Sequence, residues 1–257
     1  MLEQISLIIL FVFFIKLISW LFDSSKLPAP KPEETQPEGS NDTEKRTFFW
    51  VVDDNIQTHT LQCEVNIDRS AVKEAKAELL NVSPPSKVIF TGNEDYFALS
   101  KIEILHDRFG IGSKEIEQIT NYLKNYSDAH YFSNYQFAIL ILSFVHEQNI
   151  KYSYDEDSTG YLEYARFPLE TIYDTTGDCD CKAILASALF KKLGFRVAFA
   201  LMPGHAALAI STESAPFFAN FDLNGTSWFY CESTGDNWKP GQLPDQIDFN
   251  SVKLNEI

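Results

Sequence analysis

The last third of the chain carries a pattern that restricts the fold class. Residues 179–195, CDCKAILASALFKKLGF, place apolar side chains at helical spacing, and Gly194 follows two lysines as a helix-stop signal. Four short strand candidates with turn residues between them come next: RVAFALM, HAALAIST, FFANFDL and SWFYCEST. A helix followed by a run of antiparallel strands is typical of an α+β protein. We therefore expect a helix packed on an antiparallel sheet in this region.

The preceding part of the chain predicts a hairpin and further helices. TFFWVV and THTLQCEV, separated by DDNIQ, have the pattern of a β-hairpin, and the helical stretch RSAVKEAKAELL follows them. Another helix should begin at Ser113, with acidic residues in its first turn, and NYQFAILILSFVHEQN should form a central buried helix. We divide the folded part into residues 47–112, a hairpin and helical subregion, and residues 113–257.

An apolar segment near the N-terminus predicts a membrane anchor. Residues 5–22, ISLIILFVFFIKLISWLF, are long enough to cross a bilayer as a helix. The long aliphatic stem of Lys16 can carry its charge toward the membrane interface. A secretory signal fits less well because no basic residue precedes the apolar run. A buried core helix fits less well because the segment leads directly into a polar linker. We expect a single-pass anchor over residues 1–26. Lys26 and Lys31 favour a cytoplasmic domain, but this bias is too small to fix the orientation.

The composition of the remaining chain narrows the function classes. Residues 27–46 contain four prolines and five acidic residues among almost no large apolar side chains, which predicts a semi-extended linker. The formal net charge of −15 argues against a nucleic-acid partner, because phosphate binding needs an excess of Lys and Arg. Four cysteines in 257 residues are too few for a disulfide scaffold.

The two closely spaced cysteines at the start of the 179–195 helix suggest thiol chemistry. With Asp178 as the N-cap, Cys179 lies in the first turn, where unpaired backbone N–H groups stabilise a thiolate and a developing oxyanion. A nucleophilic thiol also needs a base and a group that orients the base. His205 is the first residue of the predicted strand HAALAIST, and Glu232 lies on its predicted antiparallel partner strand, SWFYCEST. Neighbouring strands bring such groups within reach of each other, and a carboxylate fixes the tautomer of an imidazole.

These residues carry a family resemblance. FPLETIYDTTGDCDCKAILASALFKKLGF, MPGHAALAI and FYCESTGDNW together resemble the transglutaminase-like superfamily, and more narrowly its prokaryotic branch, over residues 135–240. The resemblance implies a papain-like core with a cysteine at a helix N-terminus. It also implies acyl transfer from an amide through a thioester, with Cys179 as nucleophile, His205 as base and Glu232 as orienting acid. It implies a protein or peptide substrate and no cofactor or metal.

The chain departs from the family pattern at two positions. Glu232 stands where aspartate is commoner, so a longer side chain must fold back to reach the imidazole. Cys181 stands where the related pattern usually carries an acid. In the family, a second oxyanion donor comes from a side chain upstream of the nucleophile, and the candidates here are His146, Gln148 and Tyr164.

Other interpretations of the cysteines stay open at this point. Cys179 and Cys181 could both be small buried residues, and Cys181, about 200° further around the helix, is expected to face the core. A zinc site could use Cys179, Cys181, His205 and Cys231, although structural zinc sites usually have longer spacers on loops.

Two function hypotheses follow from the sequence. The first is a membrane-anchored thiol hydrolase or acyltransferase that acts on an amide or isopeptide bond. Hydrolysis is favoured over cross-linking because nothing marks a lysine-binding tunnel or a calcium site. The second is a catalytically silent module of the same fold that serves in binding or assembly at the membrane. The sequence does not specify the oligomeric state.

Overall fold

The computed structural model describes residues 42–83, 85–86, 103–212 and 220–257. The predicted anchor, residues 5–22, and residues 27–41 of the predicted linker lie outside these ranges. Within the described ranges, no helix combines the length and apolar character that a membrane crossing requires.

The folded part begins with a long β-hairpin. Strands β1 (Thr43–Asp53) and β2 (Thr58–Asp68) pair antiparallel along their whole length, and their side chains alternate between buried and exposed. The strand starts four residues before the predicted boundary at Thr47, so the prediction of a linker that extends to residue 46 is wrong at its end. The reason is that β2 continues to Asp68 and supplies backbone partners for residues 43–46.

Three helices pack behind the hairpin: α1 (Arg69–Val82), α2 (Lys114–Ala129) and α3 (Asn134–Phe144). Ser113 is the N-cap of α2 and accepts a hydrogen bond from the backbone N–H of Ile116, as the sequence predicted. Helix α3 is buried from Ala138 to Phe144 but ends five residues before the end of the predicted helix. The chain turns after Phe144, and His146 and Glu147 then contact the segment 232–235.

The central part consists of short elements that lead to the long helix. Strand β3 (Lys151–Tyr152) pairs in parallel with β4 (Thr176–Gly177), and helices α4 (Asp155–Thr159) and α5 (Pro168–Asp174) lie between them in the chain. Helix α6 (Cys179–Lys192) follows directly after β4 and has Asp178 as its N-cap. The Asp178 cap therefore marks where α6 begins, directly after the β3–β4 pair.

The C-terminal region forms a five-stranded antiparallel sheet in the order β7–β8–β6–β5–β9. Its strands are β5 (Arg196–Met202), β6 (His205–Ser211), β7 (Asn220–Leu223), β8 (Thr226–Cys231) and β9 (Lys253–Glu256). The first four agree with the predicted strands, except that residues 217–219 of the third lie outside the described ranges. The edge strand β9 was not predicted. The protein is an α+β protein, as expected.

The sheet separates two apolar layers. One face contributes Val197, Phe199 and Leu208 to a large core that includes the hairpin and the helices, with α6 packed on β5 and β6. The other face carries Ala198, Ala207, Trp228 and Tyr230, which pack with residues of the C-terminal segment. The large core contains residues from both sides of the predicted division at 112/113. The hairpin and the sheet thus share one interior.

We predict that Trp50→Ala lowers the free energy of unfolding by about 3–5 kcal/mol, because it removes a large buried aromatic side chain. Trp50 is 2% exposed, packs edge-on against Phe144, and donates its indole N–H to Ser143 Oγ at 2.9 Å. Phe49→Ala, at a neighbouring position that is 58% exposed, is the control and should change stability by less than about 0.5 kcal/mol. Urea denaturation measures both. Equal losses would show that the hairpin does not pack as described.

Candidate active site

Cys179 is the first residue of α6, as the sequence predicted. The Asp178 side chain accepts a hydrogen bond from the backbone N–H of Cys181 at 3.2 Å and so caps the helix. The Cys179 side chain is half-buried, and none of the four cysteines forms a disulfide. The first turn of a helix directs unpaired N–H groups and the positive end of the helix dipole toward this position. A helix N-terminus is a position that stabilises negative charge on a cysteine sulfur.

The structure brings His205 and Glu232 together. His205 is the first residue of β6, and Glu232 follows directly after β8, which ends at Cys231 and so stops before the predicted strand end. Since Leu208 pairs with Cys231, continuing the antiparallel register places Glu232 opposite Ala207, on the same face as His205 and two residues from it. His205 Nε2 lies 3.0 Å from Glu232 Oε2 and 3.3 Å from Oε1. The two side chains form a hydrogen-bonded ion pair when the imidazole is protonated.

The Glu232 carboxylate is buried, and polar groups surround it. Besides His205, the Tyr230 hydroxyl donates to Oε2 at 2.8 Å, and Thr234 donates to Oε1 from its backbone N–H at 2.9 Å and its hydroxyl at 2.7 Å. Burial alone would raise the pKa of Glu232, but the hydrogen bond and charge of His205, together with the Thr234 donors, hold it below its ordinary value. Glu232 is therefore an ionised acceptor near neutral pH.

His205 and Glu232 line a cleft of about 810 Å³, a volume within the range of ligand-binding pockets. The His205 side chain is 23% exposed, whereas that of Glu232 is 3% exposed, so the imidazole is the member of the pair that faces the cleft. The walls combine aromatic, aliphatic and acidic groups, including Glu147, Tyr152, Met202, Trp238, Ile247 and Asp248.

Two tyrosines connect Cys179 with this cleft. Tyr152 is a wall residue, and β3–β4 pairing places it beside Gly177, two residues before Cys179. Burial, and then the negative charge of the Cys179 thiolate, raise the pKa of Tyr152. Burial and the charge of Glu232 raise the pKa of Tyr230, and the Cys179 thiolate adds to this effect. The Cys179 sulfur is therefore within electrostatic range of a cleft wall and of a residue that binds Glu232.

Cys181 is packed behind Cys179, as expected from its position on the helix. It is fully buried, its thiol donates to the Tyr164 carbonyl at 3.4 Å, and its sulfur accepts from the Arg166 backbone N–H at 3.4 Å. Burial, and then the nearby carboxylates, raise the pKa of Cys181 well above its ordinary value. Cys181 is therefore a poor nucleophile.

The structure does not assemble the ligand set of the alternative zinc site. Cys231 packs in the large core with its neighbours on the helix-facing side of the sheet, whereas the next residue, Glu232, binds Tyr230 on the other side. Among the described residues, the metal-ligand types that converge are Asp155, Asp178 and Cys181. Arg166 occupies that cluster, with Nη1 at 3.1 Å from Asp155 Oδ1 and 3.7 Å from Cys181 Sγ. The guanidinium already supplies the positive charge that a cation would bring.

The three candidates for a second oxyanion donor all have other partners. Gln148 donates to the Val51 carbonyl and accepts from the Val51 N–H, at 3.0 and 2.8 Å. The Tyr164 hydroxyl donates to Glu170 at 3.0 Å. His146 is buried, and its Nε2 donates to the backbone carbonyl of Glu232 at 3.3 Å. Of these, only His146 touches the site, and it acts there as a support for the Glu232 backbone.

Sequence reasoning missed the groups that hold Glu232 and shape the cleft, among them Tyr152, Tyr230 and Thr234. Tyr230 and Thr234 both stand two residues from Glu232, the spacing that puts side chains on one face of an extended segment. That spacing was a usable signal. Tyr152 carried none, because its place beside Cys179 depends on a two-residue parallel pairing.

Comparison of the chain with protein-family models and with curated proteins returns no match. The functional interpretation therefore rests on the sequence motifs and the geometry of the site.

We predict opposite pH effects on stability for two buried glutamates. The folded pKa of Glu232 is depressed, so its contribution is present above pH 4.5 and is lost as the pH falls through the folded pKa. The stability advantage of the wild type over Glu232→Gln should therefore shrink on acidification below about pH 4.5. Burial raises the pKa of Glu170 to about 7, so its relative stability is present at low pH and is lost as the pH rises toward 7.

Glu170→Gln is therefore the matched control, and it should gain stability relative to the wild type between pH 4.5 and 7. Denaturant titrations of the three proteins at several pH values measure both effects. A pH-independent difference between wild type and Glu232→Gln would contradict the ionised, hydrogen-bonded state of Glu232.

Proposed function

We propose that the protein is a thiol-dependent enzyme that transfers an acyl group from an amide or isopeptide bond, with Cys179, His205 and Glu232 as its triad. The observation that carries this proposal is the His205–Glu232 hydrogen bond in the cleft, with the carboxylate buried and the imidazole accessible. The position of Cys179 at the N-terminus of α6 supplies the third element. The proposal extends the fold to a papain-like, transglutaminase-like core, which the sequence motifs and the helix-on-sheet arrangement support.

The Glu232 contact determines which imidazole nitrogen acts as the base. An ionised carboxylate can only accept hydrogen bonds, so the proton on His205 resides on Nε2, which contacts Glu232. This leaves the lone pair of Nδ1 for proton transfer to and from the thiol. Glu232 thereby fixes the tautomer and stabilises the imidazolium that forms after proton transfer.

The reaction then proceeds in two balanced steps. His205 Nδ1 takes the Cys179 proton, and the sulfur attacks the amide carbonyl, with the helix N–H groups next to the developing oxyanion. The C–N bond breaks as the imidazolium returns the proton to the leaving amine, which leaves a thioester on Cys179. Water, deprotonated by His205, attacks the thioester and releases a carboxylic acid and the thiol. Hydrolysis is favoured over transfer to an amine because nothing in the sequence marks a lysine-binding tunnel.

Labelling with iodoacetamide at graded pH tests the triad. The ordinary thiol pKa is about 8.5. We predict that Cys179 in the wild type reacts well below that pH, and that His205→Ala removes this low-pH reactivity. Cys181→Ala should leave the reaction unchanged, and Cys179→Ala should abolish it. Equally slow labelling of Cys179 and Cys181, without dependence on His205, would contradict the triad and favour a catalytically silent binding module.

The proposal places the enzyme on a membrane through residues 5–22. Its support is the 18-residue apolar run followed by a polar, proline-containing segment. We predict that the full chain sediments with membranes and resists carbonate extraction, whereas a chain that lacks residues 1–26 remains in the supernatant with the same melting temperature. Equal partitioning of the two folded chains would contradict the anchor.

A further inference from the structure

Glu147, a residue of the cleft wall, forms an ion pair with the buried Lys182, and the proposed mechanism does not use this pair. Lys182 lies three residues after Cys179 on α6, and its side chain is completely buried. Its Nζ donates to Glu147 Oε1 at 2.9 Å and to the Ile150 carbonyl at 2.7 Å. The Glu147 side chain is 31% exposed and lines the cleft with His205. The pair therefore connects the nucleophile helix to the cleft wall.

The same carboxylate also accepts hydrogen bonds from Tyr152, the cleft residue that pairs with Gly177. Both Glu147 oxygens accept the backbone N–H of Tyr152 at 3.0 Å. Because β3 contains only two residues, its pairing with β4 gives it little independent stability. The Glu147 carboxylate is thus a main anchor for the orientation of Tyr152.

The backbone next to this carboxylate is joined to the turn that carries the orienting acid. The Glu147 N–H donates to the Gly235 carbonyl at 3.2 Å, three residues after Glu232. The adjacent His146 donates to the Glu232 carbonyl. Burial lowers the pKa of His146 to about 4, so the imidazole is neutral at pH 7 and adds no charge beside Glu232. The His146–Glu147 segment therefore contacts Lys182 on the helix that begins at Cys179, and also the turn that begins at Glu232.

The burial of Lys182 restricts the movement of the Glu147–Lys182 pair. Burial lowers the pKa of Lys182, and the hydrogen bond and charge of Glu147 oppose that effect. A buried ammonium requires a compensating charge in place, so Glu147 cannot move away without leaving Lys182 unpaired. Desolvation thus restricts a partly exposed cleft residue to one position.

We propose that Glu147, held by Lys182, is the positioning residue that fixes the Cys179 helix and Tyr152 relative to the His205–Glu232 pair. The catalytic role of this pair rests on the proposed function, whereas the contacts of Glu147 with Lys182, Tyr152 and Gly235 are present in the structure. Neither residue takes part in bond making. They act by setting the distance between the thiol and the imidazole, and misplacement by about 1 Å costs about a hundredfold in rate.

The test uses Lys182→Met, the double variant Lys182→Met/Glu147→Met, and Lys182→Arg as the conservative replacement. The double variant leaves neither charge unpaired and so protects the test against a single variant that fails to fold. Lys191→Met is the matched control, because Lys191 is on the same helix and donates to the Ile257 carbonyl at the opposite end. Circular dichroism and cooperative melting establish that each variant is folded.

Two readouts follow. Hydrogen exchange of the Tyr152 amide should be about tenfold faster in the double variant, and unchanged in Lys191→Met. His205-dependent alkylation of Cys179 by iodoacetamide near pH 7 should be about tenfold slower in Lys182→Met and the double variant, and partly restored in Lys182→Arg. Alkylation at high pH, where the thiolate forms without help, should stay within about threefold of the wild type in all variants.

A folded double variant with wild-type exchange at Tyr152 and a wild-type alkylation profile would overturn the positioning role. Wild-type alkylation that does not depend on His205 would instead contradict the proposed function. In that case the Tyr152 amide alone decides whether Glu147 bridges the two parts: faster exchange supports the bridge, and unchanged exchange contradicts it.

Discussion

A carboxylate removed from water must find its hydrogen bonds within the protein, and the Glu232 carboxylate receives them from four donor groups on His205, Tyr230 and Thr234. These donors keep it ionised despite burial. An ionised Glu232 in turn fixes the proton of His205 on Nε2 and leaves the lone pair of Nδ1 unprotonated. The proposed function therefore depends on one buried side chain.

The strand register explains how the Glu232 side chain reaches His205. The register of β6 and β8 places Glu232 opposite Ala207 rather than opposite His205. Diagonal neighbours on paired strands are about 7–8 Å apart, a distance that long side chains can span. The additional methylene of glutamate relative to aspartate spans this offset.

The sequence predicted the elements that depend on local pattern. Ser113 and Asp178 were recognisable caps, the strands of the sheet had clear apolar runs, and the burial of Cys181 followed from its angle on the helix. The interactions that depend on tertiary contacts were not predictable in the same way. Glu147 and Lys182 are 35 residues apart, and neither belongs to a motif, so their pairing emerges only when α6 packs behind the α3–β3 loop. The early start of β1 likewise depended on the length of its partner strand.

In the proposed triad, His205 promotes ionisation of the Cys179 thiol. The pH titration of thiolate absorbance, measured as wild type minus Cys179→Ala, detects this ionisation. We predict a thiolate at Cys179 near pH 6, well below the ordinary thiol pKa of about 8.5, and its disappearance at that pH in His205→Ala. A thiol pKa of about 8.5 or above that is the same in wild type and His205→Ala would contradict the triad.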